Sequence, residues 1–350
     1  MSRELVADLA GVSVGDGRPV AIMGVINVSP ESFHRGSIRS DTDLLPAALA
    51  MVDAGASLID VGARSTAPYL ATEITPAAEA ERLARAIERL AAKLPVPISA
   101  DTCRSLPARA ALEAGARVIN DVSALCDSDV AQLVVSHSAS LVLMSAAQVG
   151  ERRGRREAGG RPSDHFPSRA VGRQKFATSS GAKRQRTEGT GHPGPPPAPR
   201  PPRGSPAPVA SVRKILSDGL RRARAAGIPQ RRIVVDPGIG FFRDTGMPWD
   251  EWDARVLVSL ASLRSLGRPI CVGVSRKSFI GEILHQPDTS DRLAGSLAAT
   301  AIAVVNGAAI IRTHDVAETR DAVRVAERLR AMNVARSARK MSPAHRRGER

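Results

Sequence analysis

Several short apolar runs in this chain end on side chains able to do chemistry. Ile98–Asp101 ends on a carboxylate, Val118–Asp121 on Asn120 and Asp121, and Ile233–Asp236 on a further carboxylate. The run Ile270–Val274 leads into Ser275, Arg276, Lys277 and Ser278, and Ala309–Arg312 leads into Thr313, His314 and Asp315. Carboxylates and an amide accept hydrogen bonds, while a lysine, an arginine and a histidine attract anions. No Ser-His-Asp or Cys-His arrangement for nucleophilic catalysis stands among them. Taken singly, each has a plain structural reading. Asp101 and Asp236 read as helix N-caps, Asn120 as a turn residue and His314 as a structural histidine. Only convergence in space would turn them into a pocket.

The elements between them predict that convergence. Strands are expected at Ala21–Ile26, Leu58–Val61, Ile98–Asp101, Val118–Asp121, Leu141–Met144, Ile233–Asp236, Ile270–Val274 and Ala309–Arg312. Amphipathic stretches separate them, as in Pro76–Lys93, where Leu83, Ala86, Ile87 and Leu90 recur at helical spacing. Ala54-Gly55, Ala114-Gly115 and Ala226-Gly227 read as helix ends, with glycine free to take a left-handed cap. Eightfold alternation of strand and helix predicts a (β/α)8 TIM barrel, in which the C-terminal strand ends converge on one face.

One interval breaks the rhythm. Residues 148–210 show no apolar periodicity, and Pro193 to Pro208 holds nine prolines. Such a stretch buries too little apolar surface to offset its ordering entropy, so a long disordered insertion is expected after the fifth strand. The expected organisation is a first barrel part at 1–147, the insertion at 148–210, a second barrel part at 211–332 with its helix resuming near Val212, and a disordered basic tail at 333–350. The formal net charge of +15 is carried mostly by these appendages. Residues 151–204 contain 13 Lys/Arg against 4 acids, and 333–350 contain 6 against 1, so the expected barrel is nearly neutral. With a single Tyr there is no array of aromatics to stack bases, and nucleic acid is not the expected partner. Cys103, Cys126 and Cys271 are odd in number, widely spaced and form no CxxC pair. That argues against a disulfide framework. No run reaches the length needed to span a bilayer and no signal peptide is evident, so a cytoplasmic protein is expected.

Seven segments in order resemble the motifs of dihydropteroate synthases: IMGVINVSPESFHR (Ile22–Arg35), IDVGARSTAP (Ile59–Pro68), ISADT (Ile98–Thr102), ALEAGARVINDV (Ala111–Val122), VDPGIGF (Val235–Phe241), VGVSRKSFIG (Val272–Gly281) and IRTHDV (Ile311–Val316). The resemblance implies a transferase that condenses 6-hydroxymethyl-7,8-dihydropterin pyrophosphate with p-aminobenzoate and releases pyrophosphate, in folate biosynthesis. It implies that Asp101, Asn120 and Asp236 accept from the pterin edge, that Lys277 contacts the ring's acceptor side and that Met144 packs on the ring. Arg312 and His314 would hold the pyrophosphate, with Asn27 as the contact for a bridging Mg²⁺. Two loops would close over the reactants. One carries Phe33; the other carries Ser65 and Thr66, matching the family's arylamine contacts, and Ser278 would join them. A homodimer through the last helices is implied as well.

Departures from the family's pattern fall on the arylamine side. Arg64 stands where the family usually has Glu, Ala67 where it has a loop Arg, and Ser145 where a His is common. These resemble the branch that makes methanopterin-type cofactors, whose amine is a ribofuranosylaminobenzene phosphate. The rival readings are a pterin-binding methyltransferase and a silent barrel whose basic insertion binds phosphate backbones.

Overall fold

The computed structural model describes residues 4–29, 42–65, 74–146, 207–243 and 245–341. Its first element is a hairpin of β1 (Val6–Leu9) and β2 (Val12–Gly15), paired antiparallel. Eight further strands follow: β3 (Ala21–Asn27), β4 (Leu58–Gly62), β5 (Ile98–Asp101), β6 (Val118–Asp121), β7 (Ser140–Met144), β8 (Ile233–Asp236), β9 (Ile270–Gly273) and β10 (Ala308–Thr313). They form a closed parallel barrel in chain order, with β10 returning to pair with β3. The crossovers are α1 (Leu44–Asp53), α2 (Pro76–Ala91), α3 (Ser105–Glu113), α4 (Ser128–Ser136), α5 (Pro208–Ala225) and α6 (Trp249–Val258). A short α7 (Ser278–Leu284) and α8 (Leu293–Val305) lie between β9 and β10, and α9 (Val316–Met341) follows the last strand.

Local signals explain the punctuation. Thr75 caps α2, accepting from the Ala78 amide at 3.2 Å with Pro76 in the first turn. Gly55, Gly115 and Gly227 follow α1, α3 and α5 at φ of +111°, +116° and +89°, conformations a side chain would strain.

Strand alternation sorts the core into two parts. Outward residues such as Ile59, Val61, Ile119 and Leu141 pack against Leu83, Ile87 and Leu90 of α2 and their counterparts around the ring. Inward residues Met23, Leu58, Val118, Val142, Val234 and Ile310 fill the barrel interior. The hairpin belongs to this inner core. Ala7, Leu9 and Val14 pack onto it from the N-terminal end, and Ser140 Oγ donates to the Asp8 carbonyl while accepting from the Ala10 amide. The barrel is thus plugged at its base.

The eight expected barrel strands are present within a residue or two of their expected limits. The hairpin was not expected. Helix α5 begins at Pro208, four residues ahead of Val212, and α9 runs through Asn333, where a tail was expected to begin. Almost all of the expected insertion falls on 147–206, outside the described residues. Among the described residues no helix is long and apolar enough to cross a membrane.

Candidate functional site

The inner apolar layer determines what stands above it. Side chains on a strand repeat every second residue, so the residue two beyond each inward apolar one also points inward, about 6.6 Å nearer the C-terminal mouth. Two past Leu58 is Asp60; two past Val118 is Asn120; two past Val142, Val234 and Ile310 are Met144, Asp236 and Arg312. Asp101 reaches the same level, paired in register with Gly62 and Asn120. Polar groups at this depth need partners, because an unpaired buried charge is costly.

Arg312 supplies them. Its Nε donates to Asp60 Oδ2 at 2.6 Å and its Nη2 to Asp101 Oδ2 at 2.7 Å. Asn120 Nδ2 donates to the same Asp60 oxygen at 3.1 Å. Asp60 is fully buried, and Asp101 and Asn120 nearly so. One guanidinium therefore serves two carboxylates. Burial drives Asp101 up to about pH 7 and the neighbouring Asp60 charge adds to that, although Arg312 pulls the other way.

A second group of charges faces this one. Asp236 Oδ1 accepts from the Gly238 amide at 2.8 Å in a tight turn. Gly238 has φ +70°, and a Cβ there would sit 1.7 Å from the Ser145 carbonyl oxygen, so only glycine fits. Burial raises Asp236 to about 6, against the pull of the Gly238 amide, Lys277 and Arg312. Lys277 is lowered to about 8 by burial and by Arg312, with Asp236, Asp253 and Asp101 opposing. Its ammonium lies 4.6 Å above the Phe241 ring, and its stem runs against Gly240. Behind it Asp253, fully buried on α6, accepts from the Gly240 amide at 2.8 Å.

The strand-end motif SRK divides its labour. Arg276, at φ +56°, points away from the mouth into a bidentate pair with Asp315, at 2.9 and 2.6 Å, and into the Thr289 and Ser290 carbonyls. It ties the end of β9 to the end of β10. His314 Nδ1 shares a 3.0 Å hydrogen bond with Ser275 Oγ in the same join. Ser278 Oγ accepts from Arg243 Nη2 at 2.7 Å, and Arg243 stacks over Trp249. Asp121 is a turn residue, accepting from the amides of Ser123 and Leu125.

On the other side of the mouth, Gly62 stands between Asn27 and Asp101. A Cβ on it would lie 3.1 Å from Asn27 Oδ1 and 3.7 Å from Asp101 Cβ. Arg64 turns inward, with Nε 3.2 Å from Glu79 and Nη2 3.7 Å from Cys103 Sγ. Glu79 is buried and also accepts from Thr102 Oγ1 and Arg104. Ser65 follows Arg64 and is the last described residue before 66–73. Thr66, Ala67 and Phe33 lie outside the described residues.

The structure thus gathers Asp101, Asn120, Asp236, Lys277 and Arg312 at one mouth, with Met144 paired in register to Asp236. Asn27 borders them through Gly62, and His314 sits on the β9–β10 join. Sequence reasoning missed Asp60, Asp253 and Glu79. Asp60 had left a signal: a lone acid in the otherwise apolar strand Leu58–Gly62.

A parallel barrel with buried acceptors, a lysine and an arginine at its C-terminal mouth defines an enzyme of the pterin-binding class, and the family described as pterin binding enzyme matches residues 23–178 and 201–314. A dihydropteroate synthase from Synechocystis is 31% identical over 318 residues, 89% of this chain and 91% of that one. The Xanthomonas albilineans dihydropteroate synthase solved with 4-aminobenzoic acid aligns at TM-score 0.68 and 31% identity, over 94% of this chain and 99% of that one. The same enzyme in complex with 7,8-dihydropteroate aligns at TM-score 0.64 and 28% identity, over 93% and 98%. The chain belongs to the dihydropteroate synthase family, the transferases that serve folate biosynthesis.

Proposed function

We propose that the chain joins 6-hydroxymethyl-7,8-dihydropterin pyrophosphate to p-aminobenzoate at the mouth of the barrel. The carrying observation is the set of inward groups held one layer above the apolar interior. Asp101 and Asp236 present acceptors, which suit the exocyclic amine and ring N–H groups of a pterin edge, and Asn120 lies between them. Lys277 is a half-buried donor for the ring's acceptor side, and Met144 offers the ring an apolar surface. Two of Arg312's nitrogens are engaged by carboxylates. A pterin donating to Asp101 replaces one of those contacts and turns the guanidinium towards the pyrophosphate. His314, held by Ser275, would serve the same leaving group. The reaction needs no protein nucleophile. Pyrophosphate departs, the methylene carries cationic character stabilised by the ring, and the amine attacks. Positioning and stabilisation of the leaving group's charge supply the rate.

Magnesium fits this donor set as a companion of the substrate. Among the described residues no three His, Cys, Asp or Glu side chains converge into a cage. Mg²⁺ commonly arrives on phosphate oxygens and takes few protein ligands. Asn27's carboxamide oxygen, beside Gly62 and Asp101, would hold it, and it would neutralise charge on the departing pyrophosphate.

Ser65, Thr66 and Ser278 are the assigned arylamine contacts, with Phe33 as a lid residue. Arg64 favours p-aminobenzoate over a phosphate-bearing amine, because its charge is spent on buried Glu79. A homodimer is part of the same reading. Helix α8 packs on α9, and Ile302, Val325, Leu329 and Met332 leave large apolar side chains 46–62% exposed on this pair. The free cysteines Cys103, Cys126 and Cys271 suit the reducing cytoplasm.

Incubation with the pterin pyrophosphate, Mg²⁺ and each arylamine, read by product mass, tests the reaction. Calorimetry of Arg312→Ala tests the assignment. Affinity for the pyrophosphate ester should fall far more than affinity for plain hydroxymethylpterin, with His314→Ala acting alike but more mildly. Equal losses for both ligands would return these residues to the ring or the fold.

A further inference from the structure

The opposite end of the barrel holds a cavity of about 690 Å³ bordered by Val20, Ile270 and Ala308, which stand at or just before the N-terminal ends of β3, β9 and β10. That volume suits a small-molecule ligand. Its floor is apolar, built from Val20, Pro269, Ile270, Ala308 and Ala309. Its rim is strongly basic. Arg18, Arg264, Arg268 and Arg330 reach it from three separate stretches of chain, against two acids, Asp16 and Glu327.

Both acids are already committed to the fold. Asp16 Oδ2 accepts from the Leu5 amide at 3.0 Å and from Arg264 Nη2 at 2.8 Å, and these contacts with Arg264 hold its carboxyl below the usual range. Glu327 Oε1 accepts from the Val20 amide at 2.7 Å. Arg268 donates through Nη2 to Gln230 Oε1, and the other three arginines are only partly used. Arg18 donates through Nε alone, to Ser13 Oγ at 3.2 Å; Arg264 uses Nη2; Arg330 uses Nη1, on the Val304 and Ala308 carbonyls. Arg18, Arg264 and Arg330 thus border the cavity with guanidinium N–H groups that these contacts do not use. A planar carboxylate is satisfied by one fork, whereas a tetrahedral phosphate offers oxygens to several. The chain's own extra segments, 151–204 and 333–350, carry excess positive charge and are poor occupants.

We propose that this cavity is a second ligand site, taking a phosphomonoester with an apolar body: phosphate on the arginine rim, body on the Val20–Ile270–Ala308 floor. It is separate from the catalytic mouth. Strand β10 carries Ala308 at one and Arg312 at the other, about 13 Å apart along the strand.

Phenyl phosphate and inorganic phosphate are the probes, titrated by calorimetry at physiological salt. Phenyl phosphate should bind the wild type more tightly than inorganic phosphate does. Arg18→Glu, on an exposed turn where only the Ser13 contact is lost, should weaken it by about tenfold or more. Arg330→Gln should act in the same direction. Lys277→Gln, altered at the catalytic mouth, should leave the affinity within about twofold. The proposal fails if wild type does not bind, if folded Arg18→Glu and Arg330→Gln both bind normally, or if Lys277→Gln abolishes binding. Equal affinities for the two probes would also overturn it, because the apolar floor would then have no part in recognition.

Discussion

The Asp60–Arg312–Asp101 triad makes a quantitative prediction. Asp60→Asn keeps the side chain's shape and an acceptor facing Arg312 Nε and Asn120 Nδ2, and removes only the charge. In the wild type the two carboxylates share one guanidinium and sit roughly 5 Å apart, judged from their 2.6 and 2.7 Å bonds to its nitrogens. At an effective dielectric of about 20 their repulsion is about 3 kcal/mol, equivalent to about 2 pH units. Part of Asp101's upward displacement to about 7 comes from Asp60, so removing that charge should bring Asp101 down towards about 5. Pterin donors need the ionised carboxylate. Affinity is full above the Asp101 pKa and lost as pH falls through it. The wild-type affinity for hydroxymethylpterin should therefore fall with a midpoint near 7, whereas in Asp60→Asn the fall should move down to about 6, where Asp236, the other acceptor, takes up its proton. Calorimetric titrations at half-unit steps from pH 4.5 to about 8.5 bracket both values, given the usual carboxylate range as the lower limit. The high-pH plateau reports how well Arg312 is aligned; the midpoint alone tests the electrostatics. A midpoint that stays near 7, or rises, would show that Asp60 does not act on Asp101 through its charge.

Asp236→Asn should part stability from function. Asp236 is raised from 3.8 to about 6 when folded, so its protonated form favours folding and that contribution is lost as pH rises through this window. At pH 8 the Asn variant should unfold at higher denaturant, by up to about 3 kcal/mol, yet bind pterin at least about tenfold more weakly. Arg276→Ala should cost about 3–5 kcal/mol in urea unfolding, because it strands Asp315 at the β9–β10 join; a loss under 1 kcal/mol would make the pair ornamental. Replacing Glu151–Gly204 with a short Gly/Ser linker should leave melting temperature and turnover close to wild type, since loop closure changes by only about 0.6 kcal/mol per doubling of length. A large drop in either would make the segment part of the working structure.

Most of the site was legible because strands repeat in twos. Asp101, Asn120, Asp236 and Arg312 end apolar runs, so the period that buries Val118, Val234 and Ile310 also aims three of these four inward. Asp60 escaped because it interrupts its run instead of ending it, and a lone acid in mid-strand is easily taken for strand. Glu79 and Asp253 were illegible for another reason. Each lies on a helix amid other charged residues, where an acid ordinarily faces water, and only the folded chain shows them fully buried. The directions of arginines were equally hidden. Sequence placed Arg276 and Lys277 side by side, but the left-handed backbone at Arg276 sends one to Asp315 and the other to the mouth. The hairpin was missed because two four-residue strands joined at Ala10-Gly11 are too short to show a period.

That hairpin also sets an order of events during synthesis. Residues 5–16 leave the ribosome well ahead of their partners, which are Ser140, β8 and Arg264, the last 248 positions further along the chain. The barrel itself closes only when β10 meets β3. Until then Leu9 and Val14, fully buried in the finished molecule, have nowhere to dock. Contacts this distant slow folding and leave apolar surface uncovered while the chain waits. A segment made ahead of the barrel is thus seated only once the barrel has closed.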